Sequence, residues 1–284
     1  MAPILLRKSQ RDEISLGTDA AHVLQLGPTP VRVVILEDAH YHWDSAVVLP
    51  DRRLSQVDDP LDIDGAGVDD GREGLEVIAA SLRFAQLTPD RPWLVVGHTD
   101  RSGADVYNID LSELRAKSGW AVFKGHRKTF VEVVTDRHKI HCYQHILKWV
   151  SQLWAWPCDP GPIDNVHGSE TTRAVRNFQI YASQELQETI SPTGWMDPST
   201  WGAVFGVYQR VLRDMLRVNK QELEALQAQL RFLQQGEGHI GCGEAWPIVA
   251  PEVDGVRAHT NRRVELFSFD PAPDGHPRFE CHPG

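Results

Sequence analysis

The chain has 284 residues, 41% of them hydrophobic and 24% charged, enough for one large domain or two smaller ones that each bury a core. A formal net charge of -10 argues against a sequence-blind grip on nucleic acid or anionic lipid. No apolar run approaches the roughly 18–20 residues of a membrane span, and the apolar stretch in Met1–Gln10 meets charge too soon for a secretory signal.

The first predicted elements are two short β-branched strands, 31–36 (VRVVIL) and 45–49 (SAVVL). Residues 51–72 are acidic and turn-rich and read as a surface loop. Within it Asp62-Ile63-Asp64-Gly65 has the opening of a calcium loop but no closing glutamate, so a solvated loop is expected. Leu75, Ile78, Ala79 and Leu82 fall on one face of a helix over 73–87, which Pro89 and Pro92 end. Residues 93–97 (WLVVG) form a buried strand, and a second helix is expected near Leu111, with Asp110 as cap and Glu113 completing a capping box. Strand, helix, strand, helix implies helices packed on a sheet.

The middle of the chain is helical. Residues 143–157 are aromatic-rich with helical spacing, 158–168 form a Pro/Gly/Asp loop, 169–183 a helix, and 198–235 a strongly helical stretch ending in the amphipathic QELEALQAQLRFLQQ. Gly236, Gly238, Gly241 and Gly243 then mark an irregular stretch before the alternating strand 263–269 (RVELFSF). Sheet-like sequence resuming after a helical interlude predicts one domain inserted into another.

Gly97–Ala116 reads GHTDRSGADVYNIDLSELRA, and far downstream stand Gly243-Glu244, Pro247-Ile248 and Asn261-Arg262-Arg263-Val264-Glu265. These pieces, in this order, resemble the signature of the OmpA C-terminal-like, peptidoglycan-associated domain. The resemblance implies an α+β or α/β sandwich with a mixed sheet, interrupted here by an all-α insertion. The implied organisation is an N-terminal segment 1–30, a discontinuous domain 31–125 plus 238–270, an insertion 126–237, and a tail 271–284.

The resemblance also implies non-catalytic binding of bacterial peptidoglycan through the diaminopimelate side chain of its stem peptide. The free end of that side chain is a zwitterion, and a site for it needs an acid facing a guanidinium. By resemblance Asp100 takes the ammonium and Arg115 the carboxylate, a task suited to a planar fork of donors. Thr99 and Asn108 shape the loop or touch ligand. Arg262 and Arg263, adjacent on a strand, point to opposite faces, so one of them is expected to reach the site; the sequence leaves open which.

Within the insertion, Thr171-Thr172-Arg173-Ala174-Val175-Arg176-Asn177-Phe178-Gln179, Gly194-Trp195-Met196-Asp197 and Thr200-Trp201 resemble the small three-helix peptidoglycan-binding module of wall hydrolases, at about 143–208. Asp164 and Gly168 fit its preceding turn, whereas the Gly194–Asp197 turn departs from the family pattern. Val175, Phe178 and Trp201 are expected in its core rather than on ligand.

His138, His141, Cys142 and His145 invite a zinc reading, since His141 and His145 share a helix face. Neither an HExxH motif nor a further ligand at a recognisable spacing is present, so a polar helix face is expected, with no metal or cofactor. Cys142, Cys158, Cys242 and Cys281 permit three disulfide pairings, and buried free thiols are the expectation.

No GxSxG, HExxH or Cys/His nucleophile signature occurs, and the modules leave about thirty residues, too few for a catalytic domain. The expectation is therefore a binder and not an enzyme, with the wall as partner, no nucleic acid and no membrane span. Its function would place it in the periplasm or cell envelope. The lack of a visible signal peptide points instead to cytoplasmic synthesis with export outside the general secretory route, for which a component or cargo of a contractile, type VI-like secretion apparatus is one reading. A targeting subunit of a wall hydrolase is another.

Overall fold

The computed structural model describes residues 21–26, 29–51, 74–233 and 238–271. The Asp62–Gly65 motif lies outside them.

Six strands form one mixed sheet in the order β1 (Ala21–Leu26), β2 (Thr29–His40), β6 (Arg263–Phe269), β3 (Pro92–Gly97), β4 (Arg231–Phe232). The β1/β2, β2/β6 and β6/β3 pairings are antiparallel. Along its other edge β3 pairs in parallel, first with β4 and then with β5 (His239–Gly241), so two short pieces make one interrupted strand. The strand carrying Arg263-Val264-Glu265 therefore lies directly beside the strand that ends at Gly97, with Gly97 opposite Val264.

A parallel neighbour requires a crossover, and the crossover from β3 to β4 contains every α-helix after the first among the described residues. These are α2 (Asp105–Lys124), α3 (Arg127–Asp136), α4 (Ile140–Trp154), α5 (Ser169–Leu186), α6 (Pro198–Leu216) and α7 (Lys220–Gln229). The remaining helix, α1 (Gly74–Leu87), buries the face predicted for it, including Leu75, Ile78, Ala79 and Leu82. The interlude shares one core with the sheet. Phe130, Phe205 and Tyr208 belong to the same buried cluster as Trp93, Val264 and Leu266. Polar ties reinforce the junction, with Gln209 Nε2 donating to Val122 O at 3.0 Å and Lys124 Nζ to Gln227 O at 2.8 Å.

Several expectations need correction. Residues 45–49 are buried but form no strand. Their backbone partners lie on the helical interlude: Ala46 N donates to Arg137 O at 3.0 Å, and Tyr208 Oη to Val48 O at 2.8 Å. β1, within the predicted N-terminal segment, is a sheet strand. The second helix starts at Asp105 rather than near Leu111, with Ala104 as a cap that makes no side-chain bond. Asp110 is thus inside the helix, and Glu113 accepts from Gly241 N at 2.5 Å instead of closing a capping box.

The stretch 198–235 is not one helix. Arg217 takes left-handed backbone (φ 58°) to end α6, and Asn219 with Glu222 forms a true capping box that restarts the chain as α7. Arg231 and Phe232, predicted helical, pair instead with β3. Cys142 and Cys158 are buried free thiols, but Cys242 is disulfide-bonded, against expectation.

Close backbone approach sets the angle of α2 on the sheet. A Cβ at Gly97 would collide with Ser112 O and stand 2.9 Å from Ala116 N. That contact brings the end of β3, and the loop that follows it, against the middle of α2.

Candidate functional site

The loop 98–104 leaves β3 and is held from below by two backbone bonds, His98 N to Arg263 O at 2.9 Å and Thr99 N to Gly243 O at 2.8 Å. Asp100 sits in this loop, 4% exposed. Its Oδ1 accepts from Ser102 N at 3.2 Å and Ser102 Oγ at 2.5 Å, and its Oδ2 from Arg262 Nη1 at 2.8 Å. Arg262 precedes β6 and also donates from Nε to Tyr41 O at 3.2 Å. Of the two adjacent arginines, then, Arg262 reaches Asp100. Arg263 turns to Glu265 Oε1 at 2.7 Å and to Trp246 O at 3.1 Å.

Arg115 lies in the middle of α2 and is fully buried. Its fork meets three backbone carbonyls: Nε to Ser45 O at 2.9 Å, Nη1 to His98 O at 3.0 Å and Nη2 to His42 O at 3.1 Å. Burial lowers its pKa to about 10 against the opposing pull of Asp100, which leaves the guanidinium charged at neutral pH. Asp100 pairs with Arg262 and not with Arg115. Three of Arg115's five N–H donors are instead used to hold the chain around it.

Asn108 is buried and donates to Glu244 Oε2 at 2.8 Å, joining the two halves of the split signature. Asn261 does the same for the Pro247-Ile248 piece: its Oδ1 accepts from Ile248 N and Val249 N at 2.8 and 3.0 Å, and its Nδ2 donates to Val249 O at 3.0 Å. Thr99 is buried, and its Oγ1 has no hydrogen-bond partner. At the rim, Trp43 is half-exposed, donates to Ser102 Oγ at 3.3 Å, and is covered by the Arg257 guanidinium 4.0 Å from its ring centre.

Behind this loop lies a second ionic cluster. Burial pushes the Glu265 carboxyl upward, but Arg263 and then His98 more than offset this and hold it below the usual carboxylate range. His98 Nε2 stands 3.5 Å from Glu265 Oε2, longer than a good hydrogen bond. Burial and Arg263 lower the pKa of His98 and outweigh Glu265, so its ring stays neutral and Arg263 carries the compensating charge.

In the helical interlude the predicted core residues are core. Val175, Phe178 and Trp201 are fully buried. Gln179 is buried among them, donating to Thr193 Oγ1, Trp195 O and Thr200 Oγ1 and accepting from Gly194 N. Asp164 accepts from Gln144 Nε2 and Val166 N, both at 2.9 Å, which fixes the turn before α5.

The histidines of α4 meet a residue that sequence spacing could not supply. His42, in the segment after β2, stacks on His145 (centroids 4.8 Å apart) and meets His141 edge-on at 4.3 Å. One ligand atom each of His42, His141 and Cys142 lie within 4.8 Å of one another. His138 stands apart, its ring bonded to Val134 O and packed on Trp201.

No helix among the described residues is long and apolar enough to cross a membrane. No protein-family model matches the chain, and no curated protein matches it.

Proposed function

We propose that the chain binds bacterial peptidoglycan without cleaving it, through the diaminopimelate side chain, at the site built by Asp100, Arg115 and Arg262 on an OmpA-like domain. The observation that carries this reading is the convergence of the split signature. Gly97–Ala116, Gly243–Ile248 and Asn261–Glu265 resemble consecutive pieces of that family's pattern, and here they are bonded to one another through Asn108–Glu244, Asp100–Arg262 and Asn261–Ile248. Agreement of motif and contact across more than a hundred residues is not expected of a chance match.

The electrostatics suit a zwitterion. One carboxylate, Asp100, faces two guanidiniums, so the group carries a surplus positive charge. Asp100 is the acceptor for the ligand ammonium. Arg115, with donors beyond the three that hold backbone, and Arg262 are the donors for its carboxylate. Ser102 links Asp100 to the half-exposed Trp43, which marks the side from which a stem peptide would approach. The three-helix module of the interlude would add a second hold on the wall.

Calorimetry with free diaminopimelate tests this without interference from that module. Wild-type protein should bind diaminopimelate and not lysine, which lacks the second carboxylate. Asp100→Asn, nearly isosteric, should weaken binding about thirtyfold or more, as expected for removing one partner of a desolvated charge pair. Unchanged affinity in the folded variant would refute the site, and soluble muropeptides released from sacculi by pure protein would refute the non-catalytic reading.

A further inference from the structure

We propose that His42, His141 and Cys142 form a zinc site that joins the segment after β2 to the first turn of α4. The sequence offered two histidines and a cysteine on one helix and no further ligand. The fold supplies His42 from 99 residues upstream of His141, and the three donor atoms gather within 4.8 Å. Two imidazoles and one thiolate are a donor set that zinc prefers over magnesium or calcium.

The surroundings fit a metal better than a chance pile of rings. His42 is 4% exposed, and its Nε2 is buried with no hydrogen-bond partner. A buried ring nitrogen left in this way is costly, and a metal ion would satisfy it. Cys142 is wholly buried, and its Sγ lies 3.2 Å from Ser45 Oγ, a hydroxyl that can turn to donate to the sulfur once it is a thiolate and so orient it. On zinc binding the Cys142 S–H proton leaves to solvent and a Zn–S bond forms, so one thiol proton is released per ion.

The frame around the ligands is fixed from both sides. Ala46 N bonds Arg137 O, and Lys139 pairs with Asp44, so the two ligand-bearing segments are already tied together. Ligand atoms bound at about 2.0–2.3 Å around a tetrahedral ion stand roughly 3.3–3.6 Å apart, so loading needs a contraction of about 1 Å, within the reach of side-chain rotation. The charged groups nearby are Arg115, Arg262 and Lys139, with Asp44 paired to Lys139. The Cys142 thiolate lowers the charge of the loaded centre beside the two arginines. His145 lies outside the triangle, stacked on His42, so three protein ligands leave a fourth position for water or another donor.

The site is distinct from the proposed wall-binding groups but mechanically linked to them. Arg115 holds the carbonyls of both His42 and Ser45, so an ion on His42 and Cys142 would stiffen the backbone that cradles Arg115.

The test is titration of the chelator-stripped full chain with cobalt(II), followed by displacement with zinc. Wild-type protein should take up one cobalt per chain with a thiolate-to-cobalt charge-transfer band, and zinc should abolish the band. Cys142→Ser should lose the band. His42→Ala should weaken cobalt binding by more than the roughly tenfold to hundredfold that loss of an outer-sphere partner costs. If His42→Ala fails to fold, His141→Ala gives the same measurement at a half-buried position on α4, and His138→Ala should bind as wild type. Absence of the band in folded wild-type protein overturns the proposal. So does a band that survives Cys142→Ser, or unchanged affinity in a folded His42 or His141 variant. None of these readouts depends on whether the protein binds wall.

Discussion

Arg262 Nη1 donates to Asp100 Oδ2 at 2.8 Å across 162 residues of chain, and the two side chains are 2% and 5% exposed. This pair closes the chain onto itself: the loop leaving β3 is fastened to the residue just before β6. Arg115 stands behind it, bonded to three carbonyls on two segments, and fixes the backbone from which that loop departs.

Removing one member of a buried pair leaves the other charge poorly compensated. Arg262→Ala should therefore cost about 3 kcal/mol of stability in urea unfolding. Because Arg115 remains as a second cation near Asp100, the cost should fall at the low end of the range for such pairs. The double variant with Asp100→Asn should be no less stable than Arg262→Ala alone, since the stranded carboxylate is then gone. Strict additivity of the two single changes would show that the pair is not energetically coupled.

Gly97 is where β3 touches α2, and the obstructing atoms are helix backbone rather than flexible side chain. Gly97→Ala should cost about 2–3 kcal/mol or more, because strand and helix must separate to admit the methyl group. The displacement would pass to Asp100, three residues on, so diaminopimelate binding should weaken in the same variant. A variant as stable as wild type would mean that the approach of β3 to α2 is looser than described.

Stability should fall in two stages as pH drops. The folded pKa of His98 lies below its ordinary 6.5, so below that pH the unfolded chain takes up a proton that the folded chain refuses. The folded pKa of Glu265 lies below its ordinary 4.5, so the unfolded chain is again protonated first as pH falls through that value. Each group contributes up to about 1.4 kcal/mol per pH unit within its window. Urea unfolding of wild-type, His98→Gln and Glu265→Gln proteins across the series would separate the stages. His98→Gln should reduce the upper one, to which His42 and His167 also contribute, and Glu265→Gln the lower. Identical pH profiles for all three would contradict the assignment.

The sequence by itself determined the elements whose signal is local. The face of α1 follows from a period of 3.6, the strand at 263–269 from alternation, and the strand at 93–97 from a short continuous apolar run. The break before α7 was missed, although Asn219 and Glu222 stand at capping-box spacing, because apolar periodicity alone made the stretch continuous. Asp100, Arg115 and the Arg262-Arg263 pair could be named as one group only because separated motif pieces resembled one pattern, and the choice between the two arginines stayed open.

Tertiary structure alone decided which side chains meet. It paired Asp100 with Arg262 rather than Arg115, and gave Arg115 to three backbone carbonyls. It kept 45–49 out of the sheet because helices, not a strand, supply its backbone partners, and drew Arg231 and Phe232 into the sheet against their helical periodicity. It also carried His42 to His141 and Cys142. The physical reason is common to all of these. Periodicity is written within one or two turns of chain, whereas a side chain's partner is set by how helices and sheet close on one core, with which a buried donor or acceptor must find whatever group lies opposite.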